Sequence, residues 1–321
     1  MQSLWTPELA ERTAHAACRA RDLAAPSDFV RFSEAAVFRS GDVAVRVDQG
    51  FTDRLTGDRA RRMVDYMHNL GVSTIPTAGI PTYVSDDGLN VTFFEFVVGE
   101  DPNWEHSLRG FGEQVRRIHD LGDVAFLQDL AHPDHVLRYA ERKYHHIVDR
   151  LEGFRRDNTA SAFTPEQVEF LCGRALELRD EIFDAAAATS PVLVHGDAHL
   201  GNSTTVKGRV LVFDFEEVGL GAPFMDHLHM LLADRMFNVP LTYPHFAAGY
   251  GDDFSTMSGI DAWLELVAYI YIVWAAGLGV VSEKHRFEAQ ERFRFWESGL
   301  HTSGISNVRK DDMPYLWNMH M

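Results

Sequence analysis

Apolar and polar positions change period several times along the chain. Over residues 6–24, Leu9, Ala10, Thr13, Ala17 and Ala20 recur at helical spacing behind Thr6-Pro7, a cap residue and a first-turn proline. The period then shortens. Residues 29–32, 37–39 and 43–47 read as strands of an antiparallel meander, with a turn at Ser40-Gly41-Asp42 before the third. In that third strand Arg46 is the charged residue among apolar ones, which on a half-buried strand reads as a solvent-facing position. Residues 54–70 return to a basic amphipathic helix closed by Gly71. Tyr83-Val84 and the β-prone run 90–98 are two further strands about the turn residues 85–88. Beyond Gly99-Glu100-Asp101-Pro102 the pattern is mostly helical, over 104–121, 134–154, 164–187, 223–235, 260–281 and 285–298. The exception is 191–226, where the apolar run 192–194 precedes a hairpin of strands 203–206 and 210–213 about Lys207-Gly208. This order predicts an α+β chain of two lobes with a cleft between them. The first, 1–98, is an antiparallel sheet with a helix; the second, 99–321, is larger and mainly helical.

Composition narrows the classes without naming one. At 321 residues, 45% hydrophobic and 24% charged, the chain has the make-up of a soluble globular protein of one large or two ordinary domains. The longest apolar stretch, 264–281, carries Glu265 and reads as a buried helix rather than a membrane span. The N-terminus shows no apolar signal-peptide core, and two cysteines argue against a disulfide framework, so a reduced, cytoplasmic setting is expected. A net charge of −17 excludes the basic footprint that nucleic-acid binding needs. The same acidity is compatible with a cationic small-molecule substrate or with solubility alone. Oligomeric state is not readable.

The hairpin region holds the candidate chemistry. Two short connections carry Asp197, Asn202 and Asp214, and the hairpin folds them towards one another. Three oxygen-bearing side chains so placed suit a divalent metal and a phosphate-bearing ligand. Other constellations are weaker. His145-His146 and His227/His229 are not spaced to put two rings on one helix face, so zinc is not expected there. Gly219-Leu220-Gly221 does not open a βαβ unit, and no dinucleotide fold follows.

The string His195-Gly196-Asp197-x-His199-x-x-Asn202, followed by Asp214-Phe215-Glu216, resembles the aminoglycoside phosphotransferase and choline kinase group, with its protein-kinase-like fold. The resemblance covers residues 28–235 and keeps the five-residue step from catalytic Asp to metal-binding Asn. It implies Asp197 as the base for an acceptor hydroxyl and Asn202 and Asp214 as ligands of Mg2+ on ATP, with GTP equally compatible. His195 and Asp226 would support the loop, and His199 would either support it or touch the transferred phosphoryl group. Arg46 stands where a phosphate-contacting lysine is usual, and Asp58 is the nearest candidate for the helix acid that pairs with it. Ser33, in the loop 32–36, would reach phosphate. Phe94 would back the nucleotide pocket in a hinge over about 93–99, with the Glu95 carbonyl and Val97 amide on an edge strand facing the base. Asp234, Asp261, Glu265 and Glu297 could line the site of a cationic, hydroxylated acceptor such as an aminoglycoside, or form ordinary solvated helix faces. Sugars, choline-like alcohols and homoserine are alternative acceptors. A metal-dependent phosphatase would need further Asp-x-His ligands that the chain lacks, and a non-catalytic nucleotide-binding module is at odds with the intact Asp197, Asn202 and Asp214.

Overall fold

Thr6 opens the first helix as its sequence requires. Its hydroxyl accepts from the Leu9 N–H at 3.2 Å at the head of α1 (Pro7–Ala20), and Pro7 occupies the first turn, where no N–H is needed. The computed structural model describes residues 5–32, 35–48, 57–100, 104–121, 136–156, 162–236, 242–279 and 283–297. Strands β1 (Asp28–Phe32), β2 (Ala35–Ser40), β3 (Val43–Asp48), β4 (Tyr83–Val84) and β5 (Asn90–Glu95) form an antiparallel sheet in the order β1-β2-β3-β5-β4.

Period-two alternation divides this sheet into two faces. Ala36, Phe38, Val45, Val47, Val91 and Phe93 turn to one side and bury against Leu9, Ala10, Ala14, Ala17 and Cys18 of α1. Register lines up Arg31, Val37, Arg46 and Thr92 as one row across four strands, and facing residues share a face, so this row lies on the other side. Arg46 therefore turns away from the α1 core, and its side chain is only 18% exposed. β5 ends at Glu95, short of the predicted residue 98. Helix α2 (Gly57–Asn69) buries Met63, Val64 and Met67 in the larger core of the helical part, not in the core beneath α1. Residues 54–56, the start predicted for this helix, lie outside the described residues.

The helical part contains α3 (Trp104–His119), α4 (Val136–Arg156), α5 (Pro165–Ala187), α6 (Leu228–Met236), α7 (Thr242–Tyr250), α8 (Ile260–Gly279) and α9 (Glu283–Glu297). Phe111, Phe224, Phe246, Trp263, Tyr269 and Phe293 are the large side chains at its centre. The predicted helix 223–235 divides into a 3-10 turn, Pro223–His227, and α6. Helix α7 was not predicted, because Pro244 and Gly249 interrupt its nine residues. Gly249 serves packing. A Cβ there would meet the Arg109 carbonyl of α3, and one at Gly112 the Phe246 carbonyl of α7, so the two backbones nearly touch. Among the described residues no helix is long and apolar enough to cross a membrane.

Four short strands intervene between α5 and α6. β7 (Ser203–Val206) and β8 (Arg209–Val212) are the predicted hairpin. β6 (Val192–Val194) pairs antiparallel with β9 (Gly219–Gly221), a strand without an alternating pattern and therefore not predicted.

Candidate active site

β6 ends where the loop His195-Gly196-Asp197 begins, and one buried carboxylate sets that loop's shape. Asp226, in the 3-10 turn, accepts from the His195 N–H at 2.6 Å and from the Gly196 N–H at 2.8 Å. His119, at the end of α3, lies with Nε2 2.9 Å from the same carboxylate and Nδ1 2.8 Å from the Tyr250 hydroxyl of α7. An ionised carboxylate only accepts, so Nε2–H donates to Asp226, with Nδ1 against the Tyr250 hydroxyl. Burial pushes the Asp226 carboxyl up, but the hydrogen bond and charge of His119, the charge of His195 and the Gly196 N–H outweigh it and hold the carboxyl below its ordinary value. Gly196 has φ +86°, and a Cβ there would run into the Glu217 carbonyl, so this position needs glycine. The His195 ring, fully buried, reaches the Phe213 carbonyl at 3.0 Å and ties the loop to the end of β8.

The hairpin brings the next two groups to the same end. Ser203 faces Val212, and beyond that pair the Phe213 N–H donates to the Asn202 carbonyl at 3.0 Å. Asn202 is 1% exposed, and its Nδ2 donates to the Asp197 carbonyl at 2.8 Å and to Asp197 Oδ2 at 3.2 Å. Asp214 follows in the left-handed region at φ 68°, which aspartate tolerates better than most residues. Its Oδ1 lies 3.0 Å from Arg46 Nη1, so the sheet face turned away from α1 meets the hairpin through this ion pair. Glu216 pairs with the same guanidinium, and Asp48 Oδ2 stands 3.8 Å from its Nε. Burial pushes the Asp214 carboxyl up, and the charges of Arg46 and Arg31 more than reverse this, leaving it lowered. Asp48, 4% exposed, goes the other way. Burial dominates, Arg46 opposes it, Asp214 adds to it, and its carboxyl is pushed up to about 7.

Asp197, Asn202, Asp214, Arg46, His195, His199 and Asp226 thus converge. His199 Nε2 is 3.4 Å from Asp197 Oδ2, against the carboxylate. The other candidate residues have other partners or surroundings. Asp58 pairs with Arg61 and Arg62 on its own helix, and the carboxylates on Arg46 come from β3 and from the residues after β8. Glu265 forms a two-pronged pair with Arg174 and accepts from Tyr269, so it is not turned to the site. Asp261 is highly exposed and pairs with Arg235. Asp234 lines a cavity of about 630 Å³ with Leu231, Tyr243 and Asp253. Glu297 is exposed at the end of α9. Ser33 lies outside the described residues. The hinge strand is not an edge: β4 pairs with Asn90 and Val91, the Ala78 N–H donates to the Phe93 carbonyl, and the Glu95 N–H donates to the Pro76 carbonyl. The Phe96 N–H turns the opposite way, to the Asp42 carbonyl. Alternation then sends the Glu95 carbonyl and the Val97 N–H to one flank.

Sequence reasoning missed His119, Tyr250, Glu216 as a partner of Arg46, and His229 with Tyr271. His229 Nε2 lies 3.4 Å from Asp197 Oδ1, and its Nδ1 is 2.8 Å from the Tyr271 hydroxyl. These partners are far apart in the chain, and residue spacing carries no signal for such contacts. Arg31 was missed for a simpler reason: its place in the same row as Arg46, two strands away, follows from strand register, not from a motif.

The description of the family model that matches residues 32–263 is "phosphotransferase enzyme family". No curated protein matches the chain. Solved structures share the fold at low identity. An amicoumacin kinase in complex with AMP-PNP and Ca2+ superposes with a TM-score of 0.65 at 14% identity, over 94% of this chain and 96% of its own. A spectinomycin phosphotransferase in complex with ADP and spectinomycin gives 0.54 at 14%, over 92% and 95%. A choline/ethanolamine kinase family protein from Mesorhizobium loti gives 0.59 at 15%, over 96% and 97%. The fold is the protein-kinase-like one, and with most of its length matched the chain belongs to the phosphotransferase enzyme family.

Proposed function

We propose that this phosphotransferase moves the γ-phosphoryl group of ATP to a hydroxyl of a small molecule, with Asp197 as the base. One observation carries the reading: Asp197, Asn202 and Asp214 meet at the end of one hairpin, opposite Arg46. Nucleotide would sit between the sheet-bearing part, 1–98, and the helical part, 99–321, with its base at the Glu95 carbonyl and Val97 N–H. Arg46, held by Asp214 and Glu216, would bring positive charge to the phosphates. The donor set fits Mg2+. Asn202 commits its Nδ2 to Asp197 and so presents its amide oxygen, and Asp214 is kept ionised by Arg46; both are hard oxygen donors. When bound there, Mg2+ neutralises charge on the transferring phosphoryl group.

In the transfer step the acceptor O–H gives its proton to the Asp197 carboxylate. The acceptor oxygen bonds to the γ-phosphorus, and the bond from that phosphorus to the β-bridging oxygen breaks, releasing ADP. Asn202 and the Asp226-braced loop hold the carboxylate in line. The net charge of −17 supports a cationic, aminoglycoside-like acceptor, as do the antibiotic ligands of the solved relatives. The engagement of Asp261 and Glu265 with arginines favours a second reading, a less cationic acceptor such as a choline-like alcohol, a sugar or homoserine.

A panel that couples ADP release to spectinomycin, streptomycin, kanamycin, choline, ethanolamine, glucose and homoserine, with MgATP or MgGTP, separates these readings. Asp197→Ala should lower turnover with the best acceptor by about 10²–10⁴-fold. Turnover within about tenfold of wild type would remove Asp197 from the base role.

A further inference from the structure

We propose that His229 and Tyr271 form a positioning pair that aims the Asp197 carboxylate, an inference that rests on Asp197 being the base. The chain of contacts is short: Tyr271 hydroxyl to His229 Nδ1 at 2.8 Å, and His229 Nε2 to Asp197 Oδ1 at 3.4 Å. On the other carboxylate oxygen, Asn202 Nδ2 stands at 3.2 Å and His199 Nε2 at 3.4 Å. The two imidazoles therefore bracket the carboxylate, one to each oxygen, with ring centres 5.7 Å apart.

Tyr271 decides which face of His229 is a donor. Burial, and after it the charge of Asp197, push the Tyr271 phenol above its ordinary value, so its O–H remains available to donate. A phenol O–H donated to Nδ1 leaves the proton of neutral imidazole on Nε2, the nitrogen that faces Asp197. The Tyr271 ring meets the His229 ring edge-on at 5.6 Å and has the Arg292 guanidinium over it at 5.3 Å, so the phenol is itself held. The pair reaches Asp197 from α6 and α8, independently of the brace that Asp226 supplies from behind the loop. A carboxylate that must sit in line with an acceptor hydroxyl gains from such aim, because small misplacements of a catalytic group cost turnover steeply.

The test uses the full chain with MgATP and, as probe, water as the acceptor, read as ADP release, beside nitrogen-15 spectra of the histidine rings. His229→Ala should lower kcat by about 10–100-fold and leave the KM for MgATP within about twofold. His229→Gln, which restores an N–H donor, should recover part of that loss, and Tyr271→Phe should reproduce a smaller part of it. In an Asp197→Ala background His229→Ala should change nothing further, which a merely structural role would not produce. The wild-type spectrum should place the His229 proton on Nε2, and Tyr271→Phe should mix the tautomers. If Asp197→Ala collapses turnover while His229→Ala and Tyr271→Phe keep wild-type kcat, the positioning pair is refuted and the base reading survives. If Asp197→Ala itself changes nothing, the base reading fails first and this inference falls with it.

Discussion

Asp48 shows how one strand position can matter in two ways. Alternation places it beside Arg46 on the sheet face turned away from α1, and its burial there pushes its carboxyl up to about 7. A carboxyl raised in the folded state binds a proton that the unfolded chain has already released, so its stabilising contribution is present below about pH 4 and is lost as pH rises through 7. Asp48→Asn keeps the shape and removes the titration. The stability difference between variant and wild type should move in the variant's favour by roughly 3–4 kcal/mol between pH 4 and pH 8, as measured by denaturant unfolding at several pH values. A difference independent of pH would contradict this account. At this scale the motif residues were legible in sequence because loop chemistry is local: Asp197, Asn202 and Asp214 sit on the two short connections at the open end of one hairpin. The partners of Arg46 were not. The helix acid expected at Asp58 is replaced by Glu216 and Asp214, which approach from far along the chain.

Among the elements, the closest backbone approach reaches the site indirectly. α3 and α7 meet through Gly112 and Gly249, and the helices then join Tyr250 to His119 and His119 to Asp226. Gly249→Ala would push the Arg109 carbonyl away and shift Tyr250, the next residue. It should therefore destabilise the fold by about 1–3 kcal/mol and lower kcat beyond what lost folded protein explains. Thermal unfolding and active-site titration on the same sample separate the two effects; unchanged kcat per folded molecule would uncouple the helix pair from the loop. Most elements were legible because period and caps agree, as with Thr6 and α1. α7 and β9 were not, since their glycines serve close contacts rather than an amphipathic pattern. The edge-strand expectation for β5 failed because, beyond the predicted partner β4, the irregular segment 76–78 hydrogen-bonds to Phe93 and Glu95 and carries no strand pattern of its own.

Across the whole molecule, titrating groups of opposite sense share one stability curve. His227 is fully buried among Tyr243, Phe246, Tyr250 and Phe254, and burial lowers its imidazole to about 3, with the charge of His119 acting in the same direction. The unfolded chain then binds the extra proton between about pH 3 and 6.5, so this group stabilises the fold fully above 6.5 and progressively less as pH falls. Over about pH 4–6.5 its slope opposes that of Asp48, and the two flatten the curve. His227→Phe should expose the opposing slope: its stability relative to wild type should improve by about 2 kcal/mol from pH 7 to pH 5, and a constant offset would show that His227 does not titrate as described. The ion cluster that joins the sheet to the hairpin has a consequence for the order of arrival. Among the described residues around it, Asp197, Asp214 and Glu216 outweigh Arg31 and Arg46. A bare nucleoside triphosphate would meet surplus negative charge, whereas one already carrying its divalent cation brings the missing positive charge with it. On the proposed function, the metal–nucleotide complex would be the species that enters, and uncomplexed ATP added in excess should compete poorly with it.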